Sequence, residues 1–305
     1  MIAKKDDEHC DRWISIDLHV HSIHSGGGLT PREILEATQR RFLDAVAITD
    51  HFAIRGALEA REISLHNASL PIGIIAQEIS GGDHFHLLLL GTAENQVHFN
   101  RRRLMDQIAD HHATGGITIL AHPWTITRNQ RAKSCVMELI HANLLDGVEF
   151  FNASLLEIPA HAGGIEAIFQ AFWEDWVMPH HLAVTGGSDF HHCHGKREIG
   201  MGRTYLKVNR VDEAGIFEAL RARRCVAGLT SDSVIAVSGV QEQSPLLWGN
   251  EPWLSELKQF IRTIHQFLQE KYVRKEIKPF FAALLAGGHY QRAYDLLNER
   301  FTVAL

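Results

Sequence analysis

Alternation of short apolar segments with longer amphipathic ones is the feature of this sequence that most restricts its fold. Strand-like runs at residues 14–18, 45–49 and 116–121 are each followed by a segment with helical signals. The first helix is predicted to start at Thr30-Pro31, where a capping threonine precedes a proline at the first helical position. Such dense alternation favours a mostly parallel sheet covered by helices, either open or closed into a barrel.

The other predicted elements continue this pattern to about residue 240. Further strands are expected at 71–75, 85–90, 147–151, 182–185, 203–208 and 234–240, and further helices at 54–65, 97–114, 135–145, 164–176 and 212–223. Beyond residue 241 the pattern predicts helices alone, at 253–272, 277–286 and 290–301. We therefore predict a barrel domain over residues 1–240 and a helical C-terminal extension over 241–305, which would pack against the barrel or join chains into an oligomer.

Composition limits the classes of function. The chain has 305 residues, of which 45% are hydrophobic and 22% charged, and its formal net charge is −6. This charge provides no general attraction to nucleic acid or to an anionic membrane. No secretory signal or membrane-spanning run is visible, and the four cysteines form no paired motif, so we expect a cytoplasmic protein. The 21 histidines are unusual and direct attention to metal binding.

Histidines and carboxylates collect where the predicted strands end. His19 and His21 follow the first strand and, being two residues apart in extended chain, point to the same side. Functional residues gather at the carboxyl ends of parallel strands in both open sheets and barrels. The residues at or near such positions are His19, His21, Asp50, His51, Glu78, His84, His86, His122, Glu149, Asn152, Asp189 and His191.

Four of these stretches resemble the ordered motifs of the PHP (polymerase and histidinol phosphatase) family of metal-dependent phosphoesterases. They are Asp17-Leu18-His19-Val20-His21-Ser22, Ala47-Ile48-Thr49-Asp50-His51, Ala121-His122-Pro123 and Gly187-Ser188-Asp189-Phe190-His191. The resemblance covers about residues 15–230. It implies an α/β fold, a distorted (β/α)7 TIM-like barrel, with two or three divalent metal ions.

The resemblance also implies a set of metal ligands in which Glu78 is shared. The groups are His19, His21, Glu78 and Asp189 for one ion, His51 and His191 for a second, and Glu78, His86 and His122 for a third. Asp189, His191 and Glu78 are the expected catalytic residues. His84 competes with His86 for its place, and the mixture of imidazole and carboxylate suits zinc, manganese or iron.

The sequence departs from the family pattern after its first pair of histidines. Where the family usually has an aspartate or histidine, this chain has Gly26 and Gly27. His24 is an alternative ligand for the second ion, water is another, and a site with two ions is a third reading. Asp17 and Asp50 are expected to orient neighbouring histidines.

The implied reaction is hydrolysis of a small phosphomonoester, such as a nucleotide or sugar phosphate, by a hydroxide that two ions share. The alternatives are a nuclease that trims short RNA or DNA ends, an amidohydrolase-type enzyme, and a non-catalytic metal-binding module. Cationic residues near the motifs would hold the substrate phosphate. The candidates are Arg128, Arg197 and Arg203, with Lys196 beside them.

Overall fold

Ten strands form one continuous sheet in the computed structural model, which describes residues 11–82, 85–92, 101–126, 129–157, 173–192, 197–229, 246–269 and 278–301. The strands are β1 (Arg12–Val20), β2 (Ala45–Ile48), β3 (Ile72–Ser80), β4 (His86–Leu90), β5 (Ile117–Ala121), β6 (Gly147–Asn152), β7 (Ala183–Gly187), β8 (Gly202–Val208), β9 (Cys225–Leu229) and β10 (Leu246–Gly249). Their order in the sheet is β10-β9-β8-β1-β2-β3-β4-β5-β6-β7.

Helices separate most of the strands. They are α1 (Pro31–Arg40), α2 (Arg55–His66), α3 (Arg101–Ala113), α4 (Gln130–His141), α5 (Glu213–Arg221), α6 (Trp253–Gln269), α7 (Lys278–Ala286) and α8 (Tyr290–Phe301). The first begins as predicted, because the Thr30 side chain accepts from the Glu33 N–H while the Glu33 carboxylate accepts from the Thr30 N–H. No helix in the described part of the chain is both long enough and apolar enough to cross a membrane.

The sheet curls into a nearly closed barrel. β1, β2 and β3 are parallel to one another, and so are β5, β6 and β7, whereas β4 runs antiparallel between the two sets. At the other side of β1, the antiparallel β8 leads to β9, which is parallel to β1. β7, at one end of the sheet, contacts β1, β8 and β9 and so brings the ends together. The predicted barrel is confirmed, with antiparallel strands added to it.

Alternating side chains divide the core into an interior and an outer layer. Ile14, Ala47 and Ile74 belong to one buried cluster that draws residues from β1 to β5 and from β7 to β9, which identifies it as the barrel interior. Val46 and Ile48 point the other way and pack beneath α1 and α2. This two-sided burial explains why the strands are almost continuously apolar.

The C-terminal helices pack on the outside of the barrel. Trp13 and Tyr205 of the sheet share a buried cluster with Leu257, Phe260 and Leu284 of the helices. The three predicted helices are therefore confirmed, while the domain boundary at residue 240 lies outside the described residues and stays a prediction.

The structure differs from the prediction at two strands. β3 extends to Ser80, beyond the predicted 71–75, because it pairs with β4 along its whole second half, and Glu78 therefore lies within the strand. No strand was predicted after residue 241, which was wrong: β10 pairs antiparallel with β9. The predicted strand at 234–240 and most of the predicted helix at 164–176 lie outside the described residues.

Candidate metal centre

The side chains that the resemblance implied as ligands converge at one end of the barrel. Each lies at or near the end of a strand, so the fold brings together residues that are up to 172 positions apart in the chain, from 19 to 191. The members are His19, His21, His51, Glu78, His86, His122, Asp189 and His191. The predicted convergence is therefore what the structure shows.

Glu78 lies at the centre of this cluster and is 1% exposed. Its Oε1 is 2.7 Å from Nδ1 of His86 and 3.1 Å from Nε2 of His122. Its Oε2 is within 3.3 Å of a ring nitrogen of each of three other histidines, which are His19, His21 and His51. The two oxygens of one carboxylate thus face two different groups of histidines, which is the arrangement expected of a ligand shared between ions.

Asp189 supplies a second carboxylate to the same cluster. Its Oδ1 is 3.5 Å from Nε2 of His19, 3.4 Å from Nε2 of His21 and 3.4 Å from Nδ1 of His191. The rings of His21 and His191 stack at 4.1 Å between centroids, and His51 lies 4.6 Å from His21 on another side.

The donor set fits divalent metal ions. Among the described residues, three groups have ligand atoms that all lie within 4.8 Å of one another. They are His21, His51 and His191; His19, Glu78 and His122; and His19, His21 and Asp189. Imidazole nitrogens and carboxylate oxygens are the usual ligands of zinc, manganese and iron.

The pKa values of the clustered carboxylates and histidines are strongly shifted by one another and by burial. Burial alone would raise the pKa of Glu78, but His19 and the other histidines around it hold that pKa well below its ordinary value. Burial likewise opposes ionisation of Asp189, yet His19 and His21 lower its pKa. Burial lowers the pKa of His51 to about 4, so this ring is a neutral ligand at physiological pH. Burial opposes a charge on His19, but Glu149 and Glu78 raise the pKa of that ring well above its ordinary value, so the positive charge beside the two carboxylates lies on histidine. A bound divalent cation would supply that charge in place of the protons.

Glu149 contacts two of the candidate ligands, although its place in the sequence predicted no particular role for it. It is 1% exposed, its Oε1 is 3.1 Å from Nδ1 of His19, and its Oε2 accepts from the His122 N–H at 2.8 Å and from Nδ2 of Asn152 at 2.9 Å. With its Nδ1–H donated to Glu149, a neutral His19 ring would present the Nε2 lone pair to a metal ion at the cluster. The position of Glu149 at the end of a strand was visible in the sequence, but its hydrogen-bond partners depend on the order of the strands in the sheet.

His21 is oriented through a serine. Nδ1 of His21 is 3.3 Å from Oγ of Ser25, and that hydroxyl donates to Oδ1 of Asp50 at 2.7 Å. The acceptor role left to Ser25 Oγ places the proton on Nδ1 of His21 and frees Nε2 for a metal. Asp50 therefore orients a histidine indirectly, as expected.

Asp17 acts on the backbone instead of a ring. Its carboxylate accepts from the N–H groups of His19 at 3.2 Å, Ser188 at 3.0 Å and Gly200 at 2.7 Å. It thereby joins the end of β1 to the segments after β7 and before β8. The expectation that Asp17 orients a neighbouring histidine holds for the main chain of His19.

Gly26 and Gly27 stand where the family usually has a ligand side chain. In this loop the backbone approaches His21 closely instead. A Cβ at Gly27 would lie 2.2 Å from the carbonyl oxygen of His21, so the loop can fold back on His21 only with glycine there. The nearby alternative ligand, His24, is directed elsewhere, because its Nε2 lies 3.4 Å from Oε2 of Glu59 and it belongs to none of the candidate metal groups among the described residues.

Three non-glycine residues in or next to the cluster have positive φ angles. Asp189 has φ +50°, His122 has φ +28°, and Phe52, next to His51, has φ +54°. Such conformations cost of order 1–3 kcal/mol each and persist where surrounding contacts impose them. The Asp189 N–H donates to the His19 carbonyl at 2.7 Å, which is one of those contacts.

The cationic residues predicted to hold the substrate phosphate lie in different surroundings. Arg197 donates from Nη1 to Oδ2 of Asp189 at 2.7 Å and so lies beside the cluster. Arg203 is 1% exposed, donates from Nε to the Gly200 carbonyl and lies 3.3 Å from Nδ1 of His289. The role of Arg203 in holding substrate stays a prediction. Arg128, Lys196 and His84 lie outside the described residues.

Comparison with known proteins agrees with this fold. A two-domain protein from Bacteroides vulgatus, containing a predicted PHP-like metal-dependent phosphoesterase, superimposes with a TM-score of 0.55 at 18% identity over 74% of this chain and 69% of that chain. A candidate metal-dependent phosphoesterase from Bifidobacterium adolescentis gives a TM-score of 0.47 at 21% identity, over 68% of this chain and 96% of its own. The structural likeness to PHP-like proteins is thus confirmed at the level of the fold, on the first of these structures.

Sequence comparison adds little about activity. The uncharacterized protein MJ1587 of Methanocaldococcus jannaschii is 27% identical over 148 residues, which is 45% of this chain and 81% of that protein. No family model matches the chain.

Proposed function

We propose that this protein is a metal-dependent phosphoesterase that hydrolyses a small phosphomonoester, such as a nucleotide or a sugar phosphate. The observation that carries the proposal is Glu78, a buried carboxylate whose two oxygens face two separate groups of histidines. Ions held on both sides of one carboxylate can act together on one substrate, which is the arrangement used by many enzymes that cleave phosphate esters. The PHP-like fold supports the same class.

The proposed ligands follow the three groups implied by the motifs. One ion would be held by His19, His21, Glu78 and Asp189, a second by His51 and His191, and a third by Glu78, His86 and His122. Zinc, manganese and iron are all compatible with these ligands. When bound, such ions supply Lewis acidity to water and to the phosphate oxygens.

The protein's own residues prepare the site for this chemistry. Glu149 fixes the protonation of His19, and Ser25 with Asp50 fixes that of His21, so both rings present Nε2 to the centre. Arg197 donates to Asp189 and is therefore placed to attract a phosphate group beside that carboxylate.

Neither cysteine in the described part of the chain is suited to act as a nucleophile. The described cysteines, Cys135 and Cys225, are buried in the core. Burial raises the pKa of Cys225 to about 12, which removes its nucleophilic thiolate at neutral pH.

The proposal is tested by phosphate release from an aryl phosphate and a panel of nucleotides and sugar phosphates. The protein is stripped of metal and reloaded separately with zinc, manganese or iron. Asp189→Asn and Glu78→Gln should each reduce metal-dependent release at least 100-fold, whereas Glu62→Gln, an exposed carboxyl-to-amide change on α2, should not. Absence of release with every metal, in protein that binds two or more ions, would refute the proposal and favour a non-catalytic metal-binding role.

A further inference from the structure

A buried arginine near the start of β8 has no carboxylate partner. Arg203 is 1% exposed, and no Asp or Glu in the described ranges forms an ion pair with it. Removing a guanidinium group from water is costly unless its N–H groups find hydrogen-bond acceptors. The acceptors of Arg203 belong to two separate segments of the chain, and its charge is therefore stabilised only while both segments stay in place.

The first of these segments is the turn between α7 and α8. Nη1 of Arg203 lies 3.3 Å from Nδ1 of His289 in this turn. Burial, together with the nearby Arg203, lowers the pKa of His289 to about 3, so its ring is neutral. Because a guanidinium group can only donate, Nδ1 of His289 is the acceptor. Tyr205, on the same face of β8, donates its hydroxyl to the Gly288 carbonyl at 3.1 Å and holds the same turn.

The second segment comprises residues 197–201 and leads into β8. Nε of Arg203 donates to the Gly200 carbonyl at 2.8 Å, and the Gly200 N–H donates to Oδ2 of Asp17 at 2.7 Å. The two polar groups of this one peptide residue are thus bound on opposite sides, one by the guanidinium and one by the carboxylate.

Asp17 connects the 197–201 segment to the metal centre. Its Oδ1 accepts from the N–H groups of His19 at 3.2 Å and Ser188 at 3.0 Å, and Ser188 directly precedes Asp189. A continuous path of hydrogen bonds therefore runs from the C-terminal turn to the backbone that carries two candidate ligands.

The 197–201 segment also carries a cation that contacts the metal centre. Arg197 donates from Nη1 to Oδ2 of Asp189 at 2.7 Å and to the carbonyl of the same residue at 2.8 Å. Glu198 pairs with Arg41 at the end of α1, but its side chain is 55% exposed, and exposed ion pairs contribute little to stability. The contact of Gly200 with the buried guanidinium is therefore the stronger polar restraint.

We propose that Arg203 and His289 are positioning residues, through which the turn between α7 and α8 holds the 197–201 segment against the metal centre. The proposal rests on the proposed function, and it gives the C-terminal helices a part in placing the metal ligands and Arg197. Loss of the acceptor on His289 would leave a buried N–H of Arg203 unsatisfied and release one end of the bridge.

Two substitutions at His289 separate the hydrogen bond from the rest of the side chain. His289→Asn keeps an acceptor, because Oδ1 can take the place of Nδ1, whereas His289→Leu has none. Competition of the full chain with a chromophoric chelator should show metal affinity about threefold to thirtyfold lower in His289→Leu, the range reported for residues that lie between coupled sites. Affinity should stay within twofold in His289→Asn.

Hydrogen exchange of the 197–201 segment, measured by mass spectrometry on metal-free protein, tests the bridge directly. Exchange should be faster in His289→Leu and unchanged in His289→Asn. Leu284→Ala is the control for a general loss of stability, because Leu284 is buried in the cluster that holds the C-terminal helices to the sheet and contributes no hydrogen bond to the bridge. It should lower the free energy of unfolding and leave both metal affinity and exchange of this segment unchanged.

Unchanged exchange in folded His289→Leu would overturn the proposal, and so would equal losses of metal affinity in His289→Leu and Leu284→Ala. Failure of the unmodified protein to bind any metal would instead refute the proposed function. The exchange measurement would still decide whether the bridge holds the segment, because it needs no bound ion.

Discussion

Replacement of Glu149 by glutamine tests whether metal affinity depends on a residue that need not touch the metal. The carboxylate of Glu149 accepts hydrogen bonds from the ring of His19, the N–H of His122 and the amide of Asn152. Glutamine has the same shape but only one acceptor oxygen, and its NH₂ group would face at least one of these donors. The ring of His19 then loses the partner that directs Nε2 toward the centre.

The expected loss of metal affinity is 10–100-fold, the usual effect of removing a carboxylate that orients a metal-binding histidine. At about 1.4 kcal/mol per tenfold change, this corresponds to about 1.4–2.8 kcal/mol. The free energy of unfolding of the metal-free protein should also fall, by about 1–3 kcal/mol, because a buried donor is left unsatisfied.

Competition with a chromophoric chelator measures the affinity, and metal content per chain is determined by mass spectrometry. Asn152→Ala serves as a milder comparison variant, because it removes one donor to Glu149 and leaves the contact between Glu149 and His19 in place. An affinity in Glu149→Gln within twofold of that of the unmodified protein would refute the role given to Glu149. It would also refute the protonation assigned to His19.

Three further predictions follow from individual contacts. His24→Ala should leave metal content per chain unchanged, because His24 faces Glu59; a lost ion would restore it as a ligand. Gly187→Ala should lower the free energy of unfolding by about 1–3 kcal/mol in a urea titration, because the new Cβ would lie 2.5 Å from Cβ of His19; no change would contradict this packing. The folded-state pKa of Asp44, about 6, is above its unfolded value, so its contribution to stability declines as pH rises from about 4 to 6. Asp44→Asn should remove that decline, and equal pH dependence of unfolding in both proteins would refute it.

The strand-end positions of several candidate ligands could be predicted because the end of a strand is a local property of the chain. A strand that ends in His19-Val20-His21 places both rings on one side whatever the other strands do. A threonine, proline and glutamate in the right order start α1 in the same local manner. Such features require no knowledge of tertiary structure.

Relations between distant strands could not be predicted in this way. The role of Glu149 depends on β6 lying between β5 and β7, which brings it beside a histidine 130 residues earlier. The burial of Arg203 depends on the packing of α8 and its preceding turn against β8, since His289 lies on that turn. β10 has only four residues, and its pairing with β9 was not signalled by any alternation of polar and apolar residues.

The two aspartates within the motifs show why the histidines alone would not make this centre. Asp50 accepts from the N–H of Ser22 at 2.7 Å and from the hydroxyls of Ser22 and Ser25, and Asp17 accepts from three N–H groups in different segments. The backbone that carries the ligands ends in loops, where donors are not satisfied by a strand partner. A buried carboxylate that collects several of these donors fixes the loops relative to one another. The aspartates therefore set the positions of the ligand backbones, whereas Glu149 and Ser25 set the orientations of the rings, and a metal site requires both.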